Sequence, residues 1–321
     1  MNILLITFQA VAALLGIGIL GFWIIGYRRV PTNVLVLLTS IAIDISLPCL
    51  VLANILTEFS PQQFPGWWHM PLWWAGFTAV SILLSLATSF LVKQEVRGEF
   101  AMGLFFQNGI FFPLLIISGI FKSPADYLVQ LFLFIFLQPS LVFSTYPLFF
   151  RSKPSEKKLN WRRIVNPVLV ITLIGLFIDL VGINGYVPNF FIMILTMLGA
   201  MATPLFMLIL GGNVYNDFVN REGTERRIYT REVITFALVK NLLFPLAFLG
   251  LLIWLHPGYS IAIILILQAA IPPITAVPIL AERSGGNRAI ASQFIVASFV
   301  FSIISIPAVI LFFSRFFPFP Q

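Results

Sequence analysis

Ten apolar stretches follow one another along this chain, at about 5–26, 34–57, 70–92, 99–120, 125–150, 164–183, 189–215, 232–254, 260–282 and 289–313. Nothing else constrains the fold as strongly. A helix of about 20 apolar residues crosses the hydrocarbon of a bilayer, where every backbone polar group must find a partner inside the protein. The sequence therefore reads as an all-α membrane protein of ten transmembrane helices. Composition agrees, since 59% of the 321 residues are hydrophobic and only 10% are charged, far from soluble usage. The first stretch lacks a basic leader and a small-residue cleavage site, so it reads as a retained span. The single cysteine, Cys49, excludes an intramolecular disulfide or a multi-cysteine metal site.

The net charge of +7 invites a nucleic-acid reading, but the basic residues fall in alternate loops. Arg28 and Arg29, Lys93 and Arg97, six residues within 151–163, four within 221–231, and Arg283 and Arg288 follow odd-numbered spans. The opposite side carries Lys122 and Arg315. The positive-inside rule makes the first set cytoplasmic and puts both termini outside, as expected for a multi-pass protein of a plasma membrane, here a bacterial inner membrane. Trp67, Trp68, Trp73 and Trp74 suit an interfacial aromatic belt.

The two halves of the chain correspond. GIGILGFWIIGYRRVP at 16–31 lies over LIGLFIDLVGINGYVP at 173–188, Pro48 matches Pro204, and Gln107 matches Gln268. With five spans per copy, the second copy enters from the opposite side, giving a 5+5 inverted repeat of 1–150 and 164–321 joined by a linker at 151–163. Within span 4, FQNGIFFPLLIISG places Gln107, Asn108, Gly109 and Pro113 where a lipid-exposed helix would tolerate none of them. Span 9 has QAAIPPITAVP, with Pro272, Pro273 and Pro278. Prolines remove donors and clash with the preceding turn, so both spans are expected to be broken helices. Paired breaks in inverted halves point to a binding site at the midplane.

The amides of Asn108, Gln107 and Gln268 can donate to a carboxylate or satisfy unwound backbone, with Gly109 and Ile271 beside them at the breaks. The four prolines are read as crossover architecture and Gly109 as permitting close approach. Two ionisable residues lie near mid-membrane, Asp44 in span 2 and Lys240 in span 8, each costing at least about 2.5–3.5 kcal/mol there. They are candidates for coupling or for an ion pair with each other. A snorkelling Lys240 is the competing reading. Asp179, near the outer end of span 6, is expected to reach the interface, and Asn54, Asn213 and Asn241 to tie helices together.

These segments, with DISLPCLVLANI, NPVLVITLIGLFIDL, LGAMATPLFMLILGG and VKNLLFPLAFLGLL, resemble the auxin efflux carrier family over nearly the whole chain. The resemblance implies a scaffold of spans 1, 2, 6 and 7 and a moving core of spans 3–5 and 8–10, in which helices 4 and 9 cross. It implies a plant auxin exporter or a microbial permease for organic acids such as malate or malonate. The short RSKPSEKKLNWRR loop is that of a prokaryotic member. Asn108 precedes Pro113 by five residues rather than the seven of the plant motif. Sodium-coupled relatives carry an acid in the crossing part of span 9, and QAAIPPITAVP has none, which argues against sodium coupling. In such a site Lys240 would do for an anion what a bound cation does in those relatives.

The expected function is thus a secondary transporter of a small organic anion, a carboxylate, by elevator-like or rocking alternating access. A channel or membrane receptor on the same ten-helix fold is the alternative. No GxxxxGK[ST] loop provides ATP drive. His69 and His256 lie in outer loops, far from any acid/base pair or metal cluster at mid-membrane, so an enzyme is not expected. No cofactor, metal or nucleic acid is expected. The partners are the anion, the bilayer and, as an open possibility, a second copy in a homodimer.

Overall fold

The computed structural model describes residues 3–28, 32–59, 61–62, 65–121, 124–150, 167–218 and 228–319. The 151–163 linker, Pro31, Lys122 and the arginines at 221, 226 and 227 lie outside them. Five helices are long and apolar enough to cross a membrane, namely Val34–Thr57, His69–Leu91, Asn189–Asn216, Thr230–Leu255 and Arg288–Phe313. Four more apolar helices are shorter, Ala12–Tyr27, Asp126–Ile135, Leu169–Val181 and Tyr259–Ala270.

In chain order, α1 is Ile3–Arg28, α2 is Thr32–Ser40, α3 is Leu47–Glu58, α4 is His69–Thr88, α5 is Arg97–Phe105, α6 is Phe111–Ile120, α7 is Ala125–Ile135 and α8 is Gln138–Thr145. They continue with α9 (Pro167–Val181), α10 (Asn189–Ala200), α11 (Ala202–Phe218), α12 (Thr230–Leu238), α13 (Phe244–Leu255), α14 (Tyr259–Ala270), α15 (Val277–Arg283) and α16 (Arg288–Phe313). Helix α1 packs along α11, and α3 packs against α9 and α10. Lipid removes the hydrophobic drive between helices, so these contacts depend on close backbone approach. A Cβ on Gly211 would run into the backbone of Gly18 and Phe22, and one on Gly199 would lie 2.7 Å from Leu50 Cα.

Helix α14 packs on α13 and α16, and every residue from Ala262 to Ala270 is buried. A helix apolar on all sides is at home only inside such a bundle. Aromatic rings fill the space beside it. Phe236 stacks on Phe294 with centroids 4.5 Å apart, and Phe100 meets both edge-on. Helix α16 begins at the N-cap Asn287, whose side-chain oxygen accepts from the amides of Ala289 (2.8 Å) and Ile290 (3.3 Å). The amide of Asn287 donates to Glu99 Oε1 at 2.6 Å, which ties the start of α16 to the first turn of α5.

Two π-turns interrupt otherwise helical spans, Ile41–Ser46 between α2 and α3, and Val239–Leu243 between α12 and α13. Proline explains both. Pro48 and Pro245 cannot donate to the carbonyls four residues back, those of Asp44 and Asn241. The chain takes up an extra residue instead, so the amide of Leu47 reaches Ala42 and that of Phe244 reaches Val239. Each ionisable residue near mid-membrane therefore sits on a π-turn. Asp179, near the end of α9, is buried at 4% exposure, and among the belt tryptophans Trp74 is buried in the core while Trp68 is exposed.

Candidate transport site at the helix crossing

The chain breaks between α5 and α6 at 106–110, and again between α14 and α15 at 271–276. Ile271, preceding Pro272, is extended (φ −75°, ψ 152°), as a residue before proline must be, and this ends α14. Pro113 is the third residue of α6 and Pro278 the second of α15, positions where a helix has no use for an amide donor. These two prolines thus start the second half-helices, while Pro272 and Pro273 form the break itself.

The two breaks run antiparallel across one another. The amide of Asn108 donates to the Pro272 carbonyl (2.9 Å), and that of Ile274 donates to Phe106 (2.8 Å), with Gln107 opposite Pro273. Two further carbonyls of the first break accept from side chains. Gln268 Nε2 donates to Gly109 O and Gln138 Nε2 to Gln107 O, both at 2.7 Å. Several groups of the unwound backbone thereby find partners within the protein, the condition for non-helical chain at membrane depth. Both glutamines close on Gly109. A Cβ there would lie 2.7 Å from Gln268 Oε1 and closer still to Gln138 Oε1.

The matching of Gln107 with Gln268 by sequence needs correction. Gln107 lies in its break and faces Pro273, whereas Gln268 lies in the last turn of α14, five positions earlier. Both are amides in apolar spans, but Gln268 gives its side chain to the backbone at Gly109, whereas Gln107 enters the crossing through its own backbone.

Beside the crossing is a cavity of about 190 Å³. Its polar lining is Asn108, Gln138, Thr275, Thr39 and Asn213. Ile43, Leu47, Phe206, Met207 and Ile279 supply much of the apolar wall. Among the sequence candidates, Asn108 and Gly109 line this cavity. Gln107, one residue along an extended segment, turns the other way, toward a small void shared with Trp74 and Ser81. Gln268 and Ile271 are fully buried behind the crossing. Helix α6 begins at Phe111, directly after the lining residue Ile110, and its first amides have no acceptor inside the helix.

Lys240 does not line the cavity. It is 1% exposed, so it does not snorkel, and its ammonium stands 5.1 Å from the centroid of the Phe244 ring. Its π-turn packs on α12, α13, α14 and α16, whereas that of Asp44, an exposed residue, packs on α2, α3, α10 and α11. The ion pair between them is not formed in this conformation. Asn241, next in sequence, does tie helices, donating to Ser298 O (3.0 Å) and Ser305 Oγ (3.2 Å) of α16. Asn54 bonds only within its own helix, to Leu50 O, and Asn213 faces the cavity, so neither is the helix tie expected of it.

Sequence reasoning missed Gln138 and Thr275. The signal for Gln138 is present, an amide in an apolar span directly before Pro139. Thr275 sits inside the proline-rich break, where no local signal sets it apart from its neighbours.

Five membrane-length helices and a crossing of two broken ones beside a polar-and-apolar cavity define a multi-pass membrane protein with an internal site. The family described as membrane transport protein matches residues 150–310, and the chain belongs to it, the family of the auxin efflux carriers. It is a membrane transporter and not an enzyme. No curated protein matches the chain.

Proposed function

We propose that this protein is a secondary transporter of a small organic anion, a carboxylate with an apolar body, working by alternating access. The observation that carries the proposal is the cavity at the crossing. One wall comes from the breaks and α8, through Asn108, Gln138 and Thr275, and the other from α2, α3 and α11, through Thr39, Leu47 and Phe206. A site shared between two helix groups is what relative movement of those groups would open to alternate sides. In this reading spans 1, 2, 6 and 7 are the scaffold and the rest the core of a ten-span 5+5 inverted repeat whose termini lie outside a bacterial inner membrane.

The chemistry supports an anion with one polar pole. Neutral amides, a hydroxyl and the free amides at the start of α6 can all donate to a carboxylate, and a helix N-terminus favours negative charge. The facing wall sets Thr39 and Asn213 among Leu47, Phe206 and Met207, so a second carboxylate would meet only neutral groups and no compensating charge. Aliphatic or aromatic monocarboxylates are therefore preferred over dicarboxylates such as malate. Binding stabilises a native state in proportion to occupancy. Purified protein should accordingly melt higher with monocarboxylates than with dicarboxylates at equal concentration. Proteoliposomes loaded with the stabilising acid should show counterflow, trans-stimulated by unlabelled substrate. A flux without trans-stimulation would identify a channel and overturn the carrier reading.

A further inference from the structure

A cavity of about 230 Å³ lies between the turn after α4 and the start of α12. Phe90, Leu91, Val92 and Lys93 line one side, and Arg231 and Glu232 the other. None of these residues lines the cavity at the crossing. Leu91 is the last residue of the membrane-length helix His69–Leu91 and Thr230 the first of Thr230–Leu255, so the cavity sits at the level where two such helices end. Arg97 braces the turn. Its guanidinium lies 4.8 Å from the centroid of the Phe90 ring, and its Nε donates to Val92 O at 3.4 Å.

The cavity carries both signs of charge. The Glu232 side chain is only 8% exposed, and among the described residues its one polar partner is Lys93 Nζ, 3.9 Å away and beyond hydrogen-bond reach. A carboxylate so covered calls for donors that the described residues do not supply. Arg231 is exposed and pairs with no carboxylate among the described residues. It stands in the first turn of α12, where the amides have no acceptor inside the helix and the macrodipole favours an anion. Arginine and free amides together make a place for a negative group, and the exposed Lys93 extends it from the other side.

An occupant with an anionic group for Lys93 and Arg231 and a hydrogen-bonding cationic group for Glu232 satisfies all three. It replaces one loose ion pair by charge-assisted hydrogen bonds at each end. Phosphoethanolamine has that chemistry. The apolar surroundings select its lipid form. Phe90 and Leu91 are exposed at the cavity, and Ile234 and Leu238, three and seven residues beyond Arg231 on the same helix face, are exposed too. A hydrocarbon path thus leads from the cavity along α12 into the span. We infer that the cavity holds the headgroup of one phosphatidylethanolamine molecule, its phosphate between Lys93 and Arg231 and its ammonium on Glu232.

The full chain is purified in detergent, mixed with equal amounts of phosphatidylethanolamine, phosphatidylcholine and phosphatidylglycerol bearing the same chains, and weighed by native mass spectrometry. One ethanolamine lipid should be retained several-fold over the other two, because a trimethylated headgroup cannot donate and a glycerol headgroup brings no positive charge. Glu232→Gln should erase the preference over the choline lipid, and Arg231→Ala should lower retention of the ethanolamine lipid several-fold. Should Glu232→Gln melt lower than wild type, the exposed Arg231 carries the test alone. Equal retention of the ethanolamine and choline lipids by the wild type, or a preference that survives both substitutions, overturns the site. Phosphatidylglycerol retained as strongly as the ethanolamine lipid overturns the zwitterion. Displacement of the lipid by an equal concentration of soluble O-phosphoethanolamine overturns the lipid as its source. No transport is measured, so the result stands apart from the success or failure of the carrier assignment.

Discussion

Asn108 and Gly109 are neighbours with different duties, and substitution separates them. Asn108 spends its backbone amide on Pro272 and keeps its side chain at the cavity. Asn108→Ala should leave the fold intact and weaken carboxylate binding about tenfold or more, since a hydrogen bond to a charged group is worth about 1.5–3 kcal/mol. Titration calorimetry on purified protein checks this, and unchanged affinity removes Asn108 from the site. Gly109→Ala should act on stability instead. The added methyl meets the Gln138 and Gln268 side chains that hold the break, and overpacking a buried site costs about 1–3 kcal/mol. The melting temperature in detergent should fall, with an equal melting temperature showing that the glutamines can yield. Lys240 offers the opposite signature. It is buried with an aromatic face against its ammonium, an arrangement that stability alone does not favour. Lys240→Met should melt at the same temperature or higher while transport of anions falls, as for residues kept for function at a cost in stability. A variant that melts lower and transports normally would make Lys240 purely structural.

At the scale of elements, prolines decide where helices stop, and a few side chains decide how well the ends hold. Proline at the start of α6 and α15 is harmless, but it forces a π-turn when it falls within a continuous span, as at Pro48 and Pro245. The breaks follow from local sterics and are legible in the residues themselves, at Pro113, Pro272, Pro273 and Pro278. The π-turns are not, because whether a chain kinks, breaks or bulges at a proline depends on what packs around it. The cap of α16 is a clean element-scale test. Asn287→Ala removes the acceptor for two amides and should cost about 1 kcal/mol, within the usual range of about 0.5–2 kcal/mol for such caps, while Asn287→Asp should restore most of it. Chemical denaturation in detergent measures both, and an alanine variant as stable as wild type would mean that the Glu99 contact alone holds the helix start.

For the whole molecule, the crossing has consequences for energy coupling. The second break, at 271–276, contains no carboxylate, and the cavity is lined by neutral groups. Transport should then be nearly indifferent to replacing sodium with choline at constant pH and membrane potential. A steep sodium dependence would mean that carbonyls and amides alone hold the cation, as unwound backbone can. Membrane residence and the place of both breaks were written in the sequence, because bilayer solvation and proline sterics act on each segment by itself. The tertiary structure alone decided which amide faces the cavity. Gln107 and Asn108 are adjacent and chemically alike, and they part only because the antiparallel pairing with Pro272 and Ile274 fixes the rotation of the strand. Gln138 likewise acquires its part only when α8 is brought against Gln107, 31 positions away, and Lys240 is held off the surface only by the helices that close over it. Such contacts depend on how distant helices are turned toward one another, and no local pattern of residues carries that information.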